Sequence, residues 1–279
     1  MRNRTTILKG ILALSCVLLI LFLAIWGPEH LADYRDKNTL DKVVVQTVDE
    51  VSEGYQYALS VNEKVYILSA CLSNRVMAET QLSEKTKVTN DLEYNELNSG
   101  TYALVTNYQG PGDKEIQESE IFDTFNLEVE TLKQLGVLPK EVKTVNASSY
   151  SAELLSAIDV REPRNNVSVW KISLETSQVN ADKSKRILDA YVDAQTGKIY
   201  EFYVRVDTEW SQLEPEQIVK RWSEYLGLEG REVYESDNPL LETTPYYLKY
   251  RFPGTDNNST IVTIGFYEGI NELFIKISK

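Results

Sequence analysis

Residues 187–204 read ILDAYVDAQTGKIYEFYV, two apolar runs around the bend Asp193-Ala194-Gln195-Thr196-Gly197. An acidic residue beside Thr and Gly is compatible with a metal loop, a catalytic carboxylate or a hairpin turn. The flanks favour the turn. Ile187, Asp189 and Tyr191 alternate with Leu188, Ala190 and Val192, and Tyr200, Phe202 and Val204 alternate with Glu201 and Tyr203. Two such strands joined by a short Gly-containing bend form a hairpin. Gly197 supplies the backbone angle that side chains resist. On this reading Gly197→Val costs stability, whereas Asp193→Asn leaves function nearly unchanged.

Working outward, the hairpin closes a pattern that occurs twice. Phe122, Phe125, Val129 and Leu132 recur at helical steps, and Gly136 ends that helix. Further on, Glu214-Pro215-Glu216 opens a second helix with the stripe Ile218, Val219, Trp222, Tyr225 and Leu226, ended by Gly227. The exits LGVLPKEV (135–142) and LGLEGREV (226–233) align without a gap. Each helix is followed by three strand-like runs: 167–175, 186–193 and 198–205 in the first unit, 244–252, 260–268 and 271–278 in the second. The expected class is α+β, with two tandem modules at 121–206 and 207–279, each a helix on a three-stranded antiparallel sheet. Ahead of them lie an acidic, turn-rich linker (109–120) and a smaller αβ region (28–108). Within that region 55–68 reads as two short strands, 79–100 as irregular and 101–108 as a strand.

The hairpin AYVDAQTGKIYEF (190–202) resembles the last hairpin of PepSY domains, through Val192-Asp193-Ala194, Thr196-Gly197 and Lys198-Ile199. The second module keeps the element order but has FYEGINEL (266–273) in that place. PepSY domains occur in propeptides of secreted metallopeptidases, and behind one membrane helix in bacterial surface proteins such as the spore germination protein YpeB. The resemblance implies a non-catalytic module that holds or restrains a partner protein. In architecture alone the chain also resembles the sensor-kinase accessory proteins YycI and YycH.

The N-terminus supplies the location. After a basic tail (1–9), residues 10–26 read GILALSCVLLILFLAIW without a charge, and Gly27-Pro28 follows. This is expected to be an uncleaved single-pass membrane helix over 10–27, with the tail in the cytoplasm and the remainder outside the cell membrane. The chain carries a net −13, and residues 1–27 hold three basic groups and no acid. The remainder therefore has 26 basic against 42 acidic groups, a net −16 that repels phosphate backbones and excludes nucleic acid as a partner. Of two cysteines, Cys16 lies in the apolar run and Cys71 in the setting of a small buried hydrophobe.

No catalytic, cofactor-binding or metal-binding residue is assigned. The single histidine, His30, sits two residues beyond Pro28, so zinc sites and Ser-His or Cys-His machinery have nothing to assemble from. GTDNNST (254–260) and the bend at Asp193 lack the alternating ligand spacing of a calcium loop. The expected function is a membrane-anchored, extracytoplasmic regulatory protein, not an enzyme, that binds a sensor kinase or a secreted peptidase. Alternatives are a carboxylate-dependent envelope hydrolase and a structural subunit of an envelope or sporulation complex.

Overall fold

A computed structural model of the chain describes residues 59–85, 101–175, 183–235, 242–255 and 257–279, with only the backbone described over 75–85. The elements begin with helix α1 (Val61–Lys85), strand β1 (Tyr102–Thr106) and helix α2 (Ile121–Gln134). Strands β2 (Tyr150–Asp159), β3 (Asn166–Leu174), β4 (Ile187–Asp193) and β5 (Ile199–Arg205) follow. A 3-10 turn at Trp210–Gln212 leads to α3 (Pro215–Leu226), then β6 (Glu232–Val233), β7 (Tyr246–Pro253), β8 (Ser259–Tyr267) and β9 (Glu272–Ser278).

These strands make one antiparallel sheet in the order β1-β2-β3-β4-β5-β9-β8-β7-β6. The expectation of two separate three-stranded modules is therefore corrected. β5 pairs with β9 from Phe202↔Ile275 to Arg205↔Glu272, joining both halves into a nine-stranded sheet. The physical reason is edge pairing. A final strand left at an edge exposes a row of unpaired N–H and C=O groups, and pairing the two final strands removes both edges at once. Each half also holds a strand beyond the expected three, β2 in the first and the short β6 in the second.

Residues 55–68 are corrected as well: from Val61 they are helix, and the helix continues to Lys85 into the stretch read as irregular. Seven consecutive residues, Val65 to Cys71, are each at most 1% exposed. A helix buried on every side has no polar face, so its sequence shows no 3.6-residue period. Nor do the described parts of 28–108 stand apart, because β1 is the edge strand paired to β2. The expected membrane span over 10–27 lies outside the described residues. No helix among the described residues is long and apolar enough to cross a membrane.

Helices lie on both faces of the sheet. Register places Leu154, Trp170, Val192, Phe202, Ile275 and Ile264 on one face, toward α2 and α3. The other face carries Tyr102, Leu155, Ala157, Val167 and Val169, and α1 covers it there, with Tyr66 meeting Tyr102 edge-on at 5.7 Å. Two irregularities break the alternation expected across the hairpin. Ile187 pairs with Val204 but Asp189 with Tyr203, and Tyr191 pairs with Glu201 but Val192 with Ile199, so Leu188 and Tyr200 are extra residues.

Both amphipathic helices end as their glycines require. Gly136 and Gly227 have φ of 70° and 83°, the left-handed region open to glycine. The amides beyond them fold back to the last turn, Val137 to the Leu132 carbonyl and Leu228 to that of Ser223.

Candidate functional site

The bend after β4 is where all three helices meet. Asp193 is 2% exposed, and every described contact it makes is internal. Its Oδ1 accepts the backbone N–H of Gln195 at 2.9 Å and of Thr196 at 2.7 Å. Its Oδ2 accepts the Tyr200 hydroxyl and pairs with Lys64 Nζ of α1 at 3.2 Å. Burial pushes this carboxyl up. The Tyr200 hydroxyl, the Lys64 ammonium and the two amides together outweigh burial and hold it below the ordinary aspartate value. Burial and the adjacent carboxylate drive the Tyr200 phenol far upward, so it stays a hydrogen-bond donor.

The outgoing side of the bend binds α2 and α3. Ile199 N–H donates to the Tyr225 hydroxyl at 3.0 Å, and that hydroxyl donates to Glu128 of α2 at 2.6 Å. Lys198 Nζ reaches the Tyr225 carbonyl, and Trp222 Nε1 donates to the Ile199 carbonyl at 3.2 Å. Ahead of α2, Ile116 N–H bonds the Ala194 carbonyl at 2.7 Å, and its own carbonyl accepts Trp170 Nε1 at 3.0 Å. Gly197 has φ 77°, and a Cβ there would stand 2.8 Å from the Thr124 methyl of α2. Gly197→Val is expected to cost roughly 2–4 kcal/mol, from backbone strain plus overpacking. Urea unfolding with an unchanged m-value checks it.

A second buried carboxylate marks the seam between the halves. Glu201, 4% exposed, faces Tyr191 across the β4–β5 ladder. Where the β5–β9 ladder stops, its Oε2 accepts the Ile277 N–H at 2.9 Å in place of a backbone carbonyl. Burial pushes its carboxyl up to about 7, against the pull of the Ile277 amide, Lys276 and Tyr203. With the folded value above the unfolded 4.5, the native state holds the proton more tightly. Stability therefore falls as pH rises from 4.5 to about 7, by at most about 3 kcal/mol. Glu201→Gln keeps an acceptor for Ile277, and in thermal melts it is expected to flatten that decline and be the more stable protein at pH 8.

The first turn of α1 is also tied to the second half. Asn62 donates to the Glu229 and Pro253 carbonyls at 3.0 and 2.9 Å and accepts the Glu229 N–H at 3.1 Å. It lines a cavity of about 330 Å³ with Ser60, Gly227 and Gly254.

The other residues singled out by sequence fall elsewhere. Cys71 is buried, and burial pushes its thiol up to about 12. Between β7 and β8, Gly254 N–H bonds the Asn258 carbonyl and Asn258 N–H the Thr255 carbonyl, each at 2.8 Å. His30 lies outside the described residues. No group of three His, Cys, Asp or Glu placed to hold a metal occurs among the described residues. Lys64, Glu128, Tyr200 and Glu201 carry no sequence signal of their roles, because each acts on a partner brought close by folding.

No protein-family model matches the chain, and no curated protein or solved structure matches it. The bend's polar atoms are spent on holding α1, α2 and α3 at one end of the sheet.

Proposed function

We propose that this chain is a non-catalytic binding protein, held outside the membrane by its apolar N-terminal segment, that modulates a sensor kinase or a secreted peptidase. The observation that carries this reading is the occupancy of Asp193. Both its oxygens are engaged, by Lys64, Tyr200 and two backbone amides. A carboxylate so satisfied is a structural cross-link, not a nucleophile or base with a lone pair for substrate. The likeness of the hairpin to PepSY domains supports the same reading.

The tether's contribution is effective concentration. A binder confined to the membrane meets a membrane partner at far higher local concentration than a free one. Expressing the chain without residues 1–27 is the test, with the partner's output measured in cells at matched protein levels. Output regulated as fully by the untethered protein as by the intact one refutes the tethered mechanism.

A further inference from the structure

The nine-stranded sheet has two edges, and they are defended unequally. At one end β6 is two residues long, exposed, and set among Arg231, Glu232 and Glu235. Short length and charge are common guards of a sheet edge. At the other end β1 runs for five residues, and 101–108, TYALVTNY, contains no charge, proline or glycine. No described strand pairs with its outer side.

The ladder fixes which backbone groups that side offers. The Thr101 carbonyl accepts the Val160 N–H at 2.7 Å, and Asn107 N–H donates to the Leu154 carbonyl at 2.9 Å. Bonded pairs alternate along an antiparallel ladder, so Thr101, Ala103, Val105 and Asn107 direct their backbone groups to β2. The N–H and C=O groups of Tyr102, Leu104 and Thr106 therefore point outward. The Tyr102 carbonyl takes the Asn74 amide at 3.0 Å and keeps a second lone pair. Apolar side chains are left in water along the same edge. Val105 is 44% exposed, and Tyr108 at 93% and Val160 at 56% flank the strand at opposite ends.

A second copy of this chain fits the edge in one register. A two-fold centred on Leu104 sets Leu104 against Leu104, Tyr102 against Thr106 and Ala103 against Val105. Leu104 of each copy then gives its N–H to the other's carbonyl, and Tyr102 and Thr106 exchange theirs. Every cross-strand pair is uncharged, and Val105 gains cover from Ala103. The antiparallel direction also brings Tyr108 of one copy to the end where the other carries Val160. Charge selects this strip for the approach. The chain carries a net −13, so two copies repel except where they meet over uncharged surface. The two acids of β2 are engaged within their own copy, Glu153 by the Thr106 hydroxyl at 2.8 Å and Asp159 by the Arg161 N–H at 3.0 Å. We propose that the chain self-associates through β1, two copies joining edge to edge into one continuous antiparallel sheet. This goes beyond the binding reading and does not depend on it.

An edge of five residues is small beside the about 1,600 Å² of a stable interface, so the dimer is reversible. Sedimentation equilibrium of the full chain in density-matched detergent is expected to show monomer and dimer exchanging at concentrations up to about 100 μM. Leu104→Pro removes an outward N–H that the β2 ladder does not use. It is expected to weaken the dimer about tenfold or more at little cost to folding. Val105→Lys is expected to do the same, by setting like charges on neighbouring strands. Its site is exposed, so it stays readable if the proline variant melts early. Val233→Lys, on the opposite edge, is expected to leave the dimer unchanged. A chain that stays monomeric overturns the proposal. So does a dimer indifferent to Val105→Lys or broken by Val233→Lys, because it then forms through another surface. None of these outcomes decides the tether test, which is read in cells.

Discussion

Asp193→Ala is expected to lower stability by roughly 4 kcal/mol, as breaking one side of a buried, hydrogen-bonded ion pair does. The change leaves the Tyr200 hydroxyl, on a residue 2% exposed, with its acceptor gone. It strips Lys64 of its carboxylate and frees the Gln195 and Thr196 amides. Asp193→Asn keeps one oxygen for the two amides but sets an NH2 donor against the Tyr200 hydroxyl and the Lys64 ammonium, at about 1–3 kcal/mol. The expectation from sequence concerned function, which Asp193→Asn is to leave nearly unchanged; the cost here is to stability and follows from the burial of Asp193. Lys64 is 20% exposed, so water screens part of the attraction, and Lys64→Met is expected to cost less than Asp193→Ala. A cycle of Lys64→Met and Asp193→Asn measured by urea unfolding isolates the pair. Additive costs show that the bend is held without it.

The sign of the pH effect follows. The folded carboxyl of Asp193 titrates below its ordinary value, so its stabilisation is present above that value and lost as pH falls through the folded one. Glu201 acts in the opposite sense at higher pH, because its folded value is raised. Stability is expected to peak between them, in mildly acid solution, and to decline on both sides. Asp193→Asn removes the acid limb, and Glu201→Gln the limb toward neutrality.

Gly265→Ala is expected to cost about 3 kcal/mol. A Cβ at this position would stand 2.3 Å from Cζ of Phe274 and under 3 Å from both its Cε atoms. The ring must leave the strand surface, breaking its stacking on Tyr203 and Tyr267. Overpacking of this kind costs about 1–3 kcal/mol, and each aromatic pair about 0.5–1.5. The backbone entropy gained by replacing glycine returns roughly 0.5–1. For a folded unit of this size the net corresponds to a fall in Tm of about 10 °C. Phe274→Leu in the same chain is expected to recover part of the loss, because it removes the ring that the new methyl displaces. Gly265→Ala with an unchanged Tm rules out the close ring–strand contact.

Local physics made part of this molecule readable from its residues. The stripes of Phe125, Val129 and Leu132, and of Ile218, Val219, Trp222 and Leu226, are the buried faces of α2 and α3. A helix half in water must repeat its apolar residues every three or four positions. Gly136, Gly197 and Gly227 announced reversals, and each has a positive φ. α1 escaped because its stretch Val65–Cys71 is buried all round, so nothing in that stretch marks a face.

The alternation across β4 and β5 was misread for a related reason. Central strands covered on both sides lose the polar half of their pattern, and two extra residues shift the register. The sequence alone settled which segments have one wet face and where the chain must turn, since those depend on neighbours three or four residues away. Tertiary structure alone decided that two halves share one sheet, and that Lys64 meets Asp193, 129 residues distant. Edge pairing and buried-charge neutralisation act between atoms that only folding brings together.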